Sequence, residues 1–286
     1  MEEKFVDVKG IRTRYLEGGK GEHLLLVHGG HYGMNCSAND WDTVSTGFAR
    51  CFHVMALDKI GLGYTDNPRH DQDYVMHTMV QHVQDFMIAM GVDRAHLVGH
   101  SRGGYIVCRV ALEHPEVVSK LVMVDCGTLT LARNPLYDQW EKEMAQIEDE
   151  RERVRYFWAA NSFNNRHLTD DFLDRLIEID NLPKSREAVA NMKAGLMSQF
   201  KANLAEELGQ THEWIRSGGI KVPLLIVWGY NDPTATIDPM GVSTMHLIFP
   251  STPNVQMHIL NQAGHWSFRE KPDDFVAAVT SFLNSS

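Results

Sequence analysis

Residues 95–105 read AHLVGHSRGGY, and the fold turns on this stretch. A short apolar run through Leu97 and Val98 stops at Gly99, and Gly103 and Gly104 follow Ser101 before a helix-like continuation. The order is strand, sharp turn, helix. Gly99, His100, Ser101, Arg102 and Gly103 spell G-x-S-x-G, where small residues two before and two after the serine let strand and helix backbones approach closely. A serine held on such a turn has its hydroxyl pushed out above the sheet, which makes Ser101 the candidate nucleophile. Such a pentapeptide also arises by chance, but the apolar run before it and the helical pattern after it are the context the motif requires.

Composition bounds what surrounds this turn. With 286 residues, 43% hydrophobic and 22% charged, the chain can bury a sizeable core as one large domain or as one domain with an insertion. The formal charge of -10 and a pI near 5.8 argue against nucleic acid or an anionic membrane as partner, because both require a basic face. An anionic small substrate would need a local arginine instead. Cys36, Cys51, Cys108 and Cys126 form no C-x-x-C pair, and three of them sit in or beside apolar runs, as free thiols in a reducing compartment do. The first ten residues, MEEKFVDVKG, contain no apolar signal core, and no stretch approaches the length of a membrane span. The expectation is a cytoplasmic protein, with a homodimer or higher homo-oligomer left open.

Working outward, residues 4–17 alternate around Lys9 and Gly10, which predicts an opening antiparallel hairpin. Residues 23–27, HLLLV, form a continuous apolar run of the kind buried on both faces, and end in His28, Gly29, Gly30 and His31. Strand carboxyl ends are where ligands bind in open parallel sheets, and an H-G-G turn ahead of G-x-S-x-G is the usual position of an oxyanion donor. A plain glycine turn is the alternative. His28 and His31 lack the companions a metal site needs, so no metal is expected. Residues 41–52 read as a helix, 52–57 as a strand and 74–90 as an amphipathic helix that stops at Gly91. The G-x-G at Gly61 and Gly63 lacks a third glycine and opens no helix, which argues against a dinucleotide cofactor. Residues 120–124 are another buried strand, delivering Asp125 at its end.

From residue 129 the texture changes. Residues 129–218 hold no convincing strand and are rich in charged and amide side chains, with helical patterns at 136–156, 170–179, 186–200 and 204–217. They read as an inserted helical cap, with a core of residues 1–128 and 219–286. The core resumes with strands at 222–228 and 255–259 and closes with a helix at 272–283. Alternating strands and helices predict a parallel, doubly wound sheet.

Two residues of the returning core supply what Ser101 lacks. Asp232 lies just past the 222–228 strand, and His265 lies in the AGHW loop before the last helix. A serine hydroxyl is a weak nucleophile until an imidazole takes its proton, and the imidazole needs a carboxylate to fix its tautomer and stabilise its cation. His265 is one of fifteen histidines, and Asp232 also suits a turn-forming Asn-Asp-Pro. Asp125, which likewise ends a strand, is the rival acid.

Four motifs carry a resemblance across nearly the whole chain: VHGG at 27–30, VGHSRGG at 98–104, IVWGYNDP at 226–233 and GHW at 264–266. The sequence resembles the α/β-hydrolase superfamily, whose triad runs Ser, Asp, His in chain order. Within it, the sequence is similar to the carbon-carbon bond hydrolases that cleave meta-cleavage products of aromatic degradation. The resemblance implies an α/β-hydrolase fold, with a mostly parallel central sheet flanked by helices and an inserted all-helical cap. It also implies a catalytic Ser101, His265 and Asp232, oxyanion donors from the backbone of Gly30 and Arg102, and no metal or organic cofactor. A cap arginine holds the substrate carboxylate in that family. The KSRE segment at 184–187 looks like the corresponding place, with Arg186 the candidate and a solvated surface arginine the alternative. Trp266 would line the pocket or pack in the core. The elbow departs from the family's usual G-N-S-M-G-G at His100 and Arg102, and HGGHYGMN stands where H-G-x-G-P-G-A is usual.

The substrates implied are a small carbonyl compound and water. Three readings follow: hydrolysis of a carbon-carbon bond next to a ketone in a 2-hydroxy-6-oxo-dienoate, hydrolysis of a small apolar ester or lactone, and a non-catalytic receptor that kept the pocket. Haloalkane dehalogenase and epoxide hydrolase are disfavoured, because both place aspartate where Ser101 stands.

Overall fold

The computed structural model describes residues 1–130 and 135–285. Eight strands form one sheet: β1 (Glu2–Val8), β2 (Ile11–Gly18), β3 (His23–Val27), β4 (His53–Leu57), β5 (Ala95–His100), β6 (Val118–Val124), β7 (Leu224–Gly229) and β8 (Val255–Leu260), in the order β1-β2-β4-β3-β5-β6-β7-β8. β2 pairs antiparallel with both neighbours, and the remaining pairs are parallel. The hairpin expected at the start is present, turning at Lys9 and Gly10, both at positive φ. Leu24, Leu25, Leu26 and Val27 have no exposure, because helices cover both faces of the central strands. At the edge, β8 alternates between partly covered and exposed residues from Val255 to His258, and then Ile259 is exposed and Leu260 buried.

The helices are α1 (Asp42–Phe48), α2 (Met76–Ala89), α3 (Arg102–Glu113), α4 (Leu136–Met144), α5 (Glu150–Ala160), α6 (Asp170–Asn181), α7 (Pro183–Asn191), α8 (Met197–Gly218), α9 (Val242–Ile248), α10 (Ser267–Glu270) and α11 (Pro272–Asn284). From β3 the chain moves outward to β4, then returns to build β5 on the other side of β3. That reversal opens a crevice between the carboxyl ends of β3 and β5, where the His28–Gly29–Gly30 turn and Ser101 sit. None of the helices among the described residues is long and apolar enough to cross a membrane.

Between β6 and β7 the described chain is helical, and residues 131–134 of the expected cap lie outside the described residues. The helix expected over 136–156 is two helices, because the Asp149 side chain accepts the Glu152 amide at 2.8 Å and starts α5 afresh. The one expected over 186–200 breaks at Gly195, whose φ of 138 lies outside helical space, and α8 then absorbs the segment expected at 204–217. Near the start of the chain, the helix expected over 41–52 is a 3-10 turn (Ala38–Trp41), closed by a Ser37 and Asp40 capping box, followed by the short α1.

Candidate active site

Ser101 stands between β5 and α3 with φ 52 and ψ -118, a conformation that costs energy for any residue with a Cβ. Close packing fixes it. A Cβ on Gly103 would lie 2.2 Å from the Val27 carbonyl oxygen, and one on Gly99 would lie 2.3 Å from that of Gly103, so only glycine lets α3 sit this near the sheet. The Ser101 amide donates to the Val124 carbonyl at 2.7 Å, tying the turn to β6. Its hydroxyl has no hydrogen-bond partner among the described residues.

His265 is buried, and its Nδ1 donates to Asp232 Oδ2 at 2.6 Å, which assigns the proton to Nδ1 and leaves Nε2 as the acceptor. Burial disfavours the imidazolium, but the Asp232 carboxylate, by charge and by hydrogen bond, outweighs burial with help from Asp125 and Glu270 and raises the His265 pKa. The other Asp232 oxygen accepts the Thr234 and Ala235 amides, both at 2.8 Å, and the Thr234 hydroxyl at 3.1 Å. Asp125 is engaged elsewhere. It accepts the Gly229 amide at 2.6 Å and the Ser267 hydroxyl at 2.5 Å, and burial, then the charge of Asp232, raises its pKa. Of the two acids that end strands, the structure pairs His265 with Asp232.

The turn after β3 is held from beneath. His28 Nδ1 donates to the Gly29 carbonyl at 2.9 Å, its Nε2 accepts the Lys59 amide at 3.1 Å, and Lys59 Nζ donates to the Gly30 carbonyl at 2.9 Å. Lys59 is fully buried, and burial pulls its ammonium down to about 7. The Gly30 and Arg102 amides have no acceptor among the described residues, which leaves two unused donors in the turns that follow β3 and β5. A serine hydroxyl on a strained elbow, an imidazole oriented by a carboxylate and two unused amides are the kinds of group that acyl transfer uses.

The α/β-hydrolase fold family matches residues 22–272. The chain belongs to that family. Among curated relatives, the 2-hydroxy-6-oxo-6-(2'-aminophenyl)hexa-2,4-dienoic acid hydrolase of Metapseudomonas resinovorans is 30% identical, over 99% of this chain and 91% of its own. The 2-hydroxy-6-oxo-6-phenylhexa-2,4-dienoate hydrolase of Burkholderia cepacia is 27% identical, over 98% of this chain and 96% of its own. Of the solved structures, a serine hydrolase involved in carbazole degradation superposes with a TM-score of 0.77 at 28% identity, covering 99% of this chain and 98% of that one. This α/β-hydrolase is thus a relative of the meta-cleavage product hydrolases.

One expected binding residue of the hydrolase lies elsewhere. Arg186, expected to face the pocket, is exposed and donates to Asn181 Oδ1. The cause is helical phase: α7 buries Ser185 and Ala188, and Arg186, about 100° further round from Ser185, faces solvent. Trp266 is packed at 3% exposure, its ring stacked on Trp158 of α5 with centroids 3.8 Å apart. His100, beside the nucleophile, is turned into the core: its Nε2 donates to the His265 carbonyl at 2.8 Å, and its ring packs on Trp266 and Phe268.

The helical segment reaches the site through residues the sequence did not single out. The Asn161 carbonyl accepts the His265 amide at 2.8 Å, and its side-chain oxygen accepts the Thr234 hydroxyl at 2.8 Å. Glu270 accepts the Gly264, Phe163 and Asn164 amides at 2.8 to 2.9 Å, fastening the His265 loop to the end of α5. No local motif marks an asparagine or glutamate that acts across such a sequence distance. The Arg102 side chain was also passed over, since only its amide was read. An arginine directly after the nucleophile, where the related enzymes usually carry methionine, was the available signal.

Proposed function

We propose that this protein is a serine hydrolase that cleaves the carbon-carbon bond next to the ketone of a 2-hydroxy-6-oxo-dienoate, with residues 129–218 acting as a lid over the site. The observation that carries the serine-hydrolase part is the hydrogen bond from His265 to Asp232 beside the Ser101 elbow. The substrate class is supported by relatives named dienoate hydrolases that align over nearly the whole chain. In this reading the Ser101 hydroxyl passes its proton to His265 Nε2 and adds to the ketone carbon. The Gly30 and Arg102 amides hold the resulting oxyanion. The carbon-carbon bond breaks with its electron pair entering the dienoate fragment, which takes the proton from His265. Water, deprotonated by the same imidazole, then adds to the acyl-serine and releases a carboxylic acid. The proposed compartment is the cytoplasm, which suits the free thiols of Cys36, Cys51, Cys108 and Cys126.

A second reading, hydrolysis of a small apolar ester or lactone by the same groups, is favoured by the elbow itself, where His100 and Arg102 replace the asparagine and methionine usual among the dienoate hydrolases. One assay separates the two. Loss of the yellow colour of 2-hydroxy-6-oxo-6-phenylhexa-2,4-dienoate is followed beside hydrolysis of short-chain nitrophenyl esters. Ester turnover with an inert dienoate would assign the protein to the carboxylesterases.

A further inference from the structure

We propose that the Arg102 side chain is the carboxylate anchor of this site, holding the anionic end of the substrate between the Ser101 elbow and α8. This rests on the reading of the substrate as a dienoate. The Arg102 guanidinium carbon lies 5.4 Å from the ring centroid of Phe200 on α8. Its Nε is buried without a partner, and the guanidinium makes no hydrogen bond or ion pair among the described residues.

The arginines that are buried as whole residues are all satisfied among the described residues. Arg14 bonds Glu3, Asp58 and Asn39; Arg109 bonds Glu113, Gln210 and Thr211; Arg269 bonds Asp42, the Asp40 carbonyl and His167. Enclosing Nε without a partner is costly even on a half-buried guanidinium, and a chain of formal charge -10 has carboxylates with which to pair it. Among the described residues, none of them is hydrogen-bonded or ion-paired to Arg102. Burial lowers its pKa, and the Tyr137 hydroxyl and the Cys36 and Cys126 thiols act in the opposite direction. His31, which also packs against Phe200 at 5.9 Å, is pulled down to about 3 by burial and then by Arg102, so it is a neutral neighbour.

Reach fits the substrate class. Five bonds separate the carboxylate carbon of such a dienoate from its ketone carbon, about 6 Å when extended. A side chain that starts one residue from the nucleophile spans a similar length. Guanidinium over an aromatic face keeps its edge free for two parallel hydrogen bonds to a carboxylate. Of the other cations among the described residues, Lys59 is bound to the Gly30 carbonyl, Arg186 is exposed, and Lys184, whose Nζ is buried without a hydrogen-bond partner, lies in the field of Asp58 and Asp66.

The test uses an anion and its neutral isostere as well as substrates. Hexa-2,4-dienoate and hexa-2,4-dienamide are measured as inhibitors of nitrophenyl acetate hydrolysis by the wild type, Arg102→Gln and Arg102→Lys. The wild type is expected to bind the acid at least tenfold more tightly than the amide. Arg102→Gln is expected to abolish that preference and to raise KM for the phenyl dienoate by about thirtyfold, with a smaller effect on kcat, and Arg102→Lys to restore part of it. A wild type that does not prefer the acid would overturn the proposal, even if the glutamine variant fails to fold. So would equal weakening of acid and amide, which is the mark of a structural role. If the wild type hydrolyses the ester, ignores the phenyl dienoate and still prefers the acid, the carbon-carbon reading fails and the anion site stands.

Discussion

The backbone carbonyl of Asn161 accepts the His265 amide at 2.8 Å while its side chain accepts the Thr234 hydroxyl, so one residue at the end of α5 braces both the candidate base and the loop of its acid. Truncating that side chain leaves the backbone bond but removes a buried acceptor. Asn161→Ala is expected to cost about 1–3 kcal/mol of stability, read by urea unfolding, and to lower kcat more than it changes KM. Unchanged stability and rate would show that the brace holds nothing in place.

Ser101→Ala should abolish turnover while the thermal unfolding midpoint stays close to that of the wild type, because the hydroxyl has no partner among the described residues to lose. Labelling of the wild type by a fluorophosphonate, mapped by peptide mass, should fall on Ser101. Labelling elsewhere, or turnover retained in the alanine variant, would remove Ser101 from the mechanism.

The two buried acids should separate cleanly. Asp232→Asn removes the acceptor that fixes the His265 tautomer, and kcat should fall by a factor on the order of 10⁴. Asp125→Asn can still accept the Gly229 amide and can donate to Ser267, so the expected cost is about 1 kcal/mol of stability and a far smaller loss of rate. The reverse ranking would move the acid to the end of β6.

Activity should depend on pH through His265, which must be neutral to accept a proton. Because its pKa in the folded protein is raised above 6.5, the acid limb of kcat/KM should have its midpoint above that value. Asp232→Asn should move the midpoint down. Stability has the opposite sense: the protonated form is favoured by folding, so this contribution is fully present below the unfolded pKa and is lost as pH rises through the folded one. A midpoint below 6.5 in the wild type would contradict the Asp232 pairing.

Much of the fold was legible because its signals are local. Buried parallel strands must be apolar on both faces, so 23–27, 120–124 and 222–228 announced themselves as unbroken runs, and the glycines around Ser101 marked a place where helix and strand backbones come into close contact. Helix ends between β6 and β7 were less legible, since a single Asp149 cap and a single Gly195 decided them against a helical pattern that ran through both. The candidate site divides in the same way. Ser101, Asp125, Asp232 and His265 could be located from sequence because each follows a strand, and the strand carboxyl ends that carry them open on one edge of the sheet. The choice between Asp125 and Asp232 was tertiary, because it depended on Ser267 and Gly229 occupying one carboxylate and leaving the other to the imidazole. Charge placement was tertiary as well. Sequence counts arginines but not their partners, so only packing revealed that Arg186 faces solvent and that Arg102 is half-buried next to Ser101, its Nε enclosed and its guanidinium unpaired among the described residues.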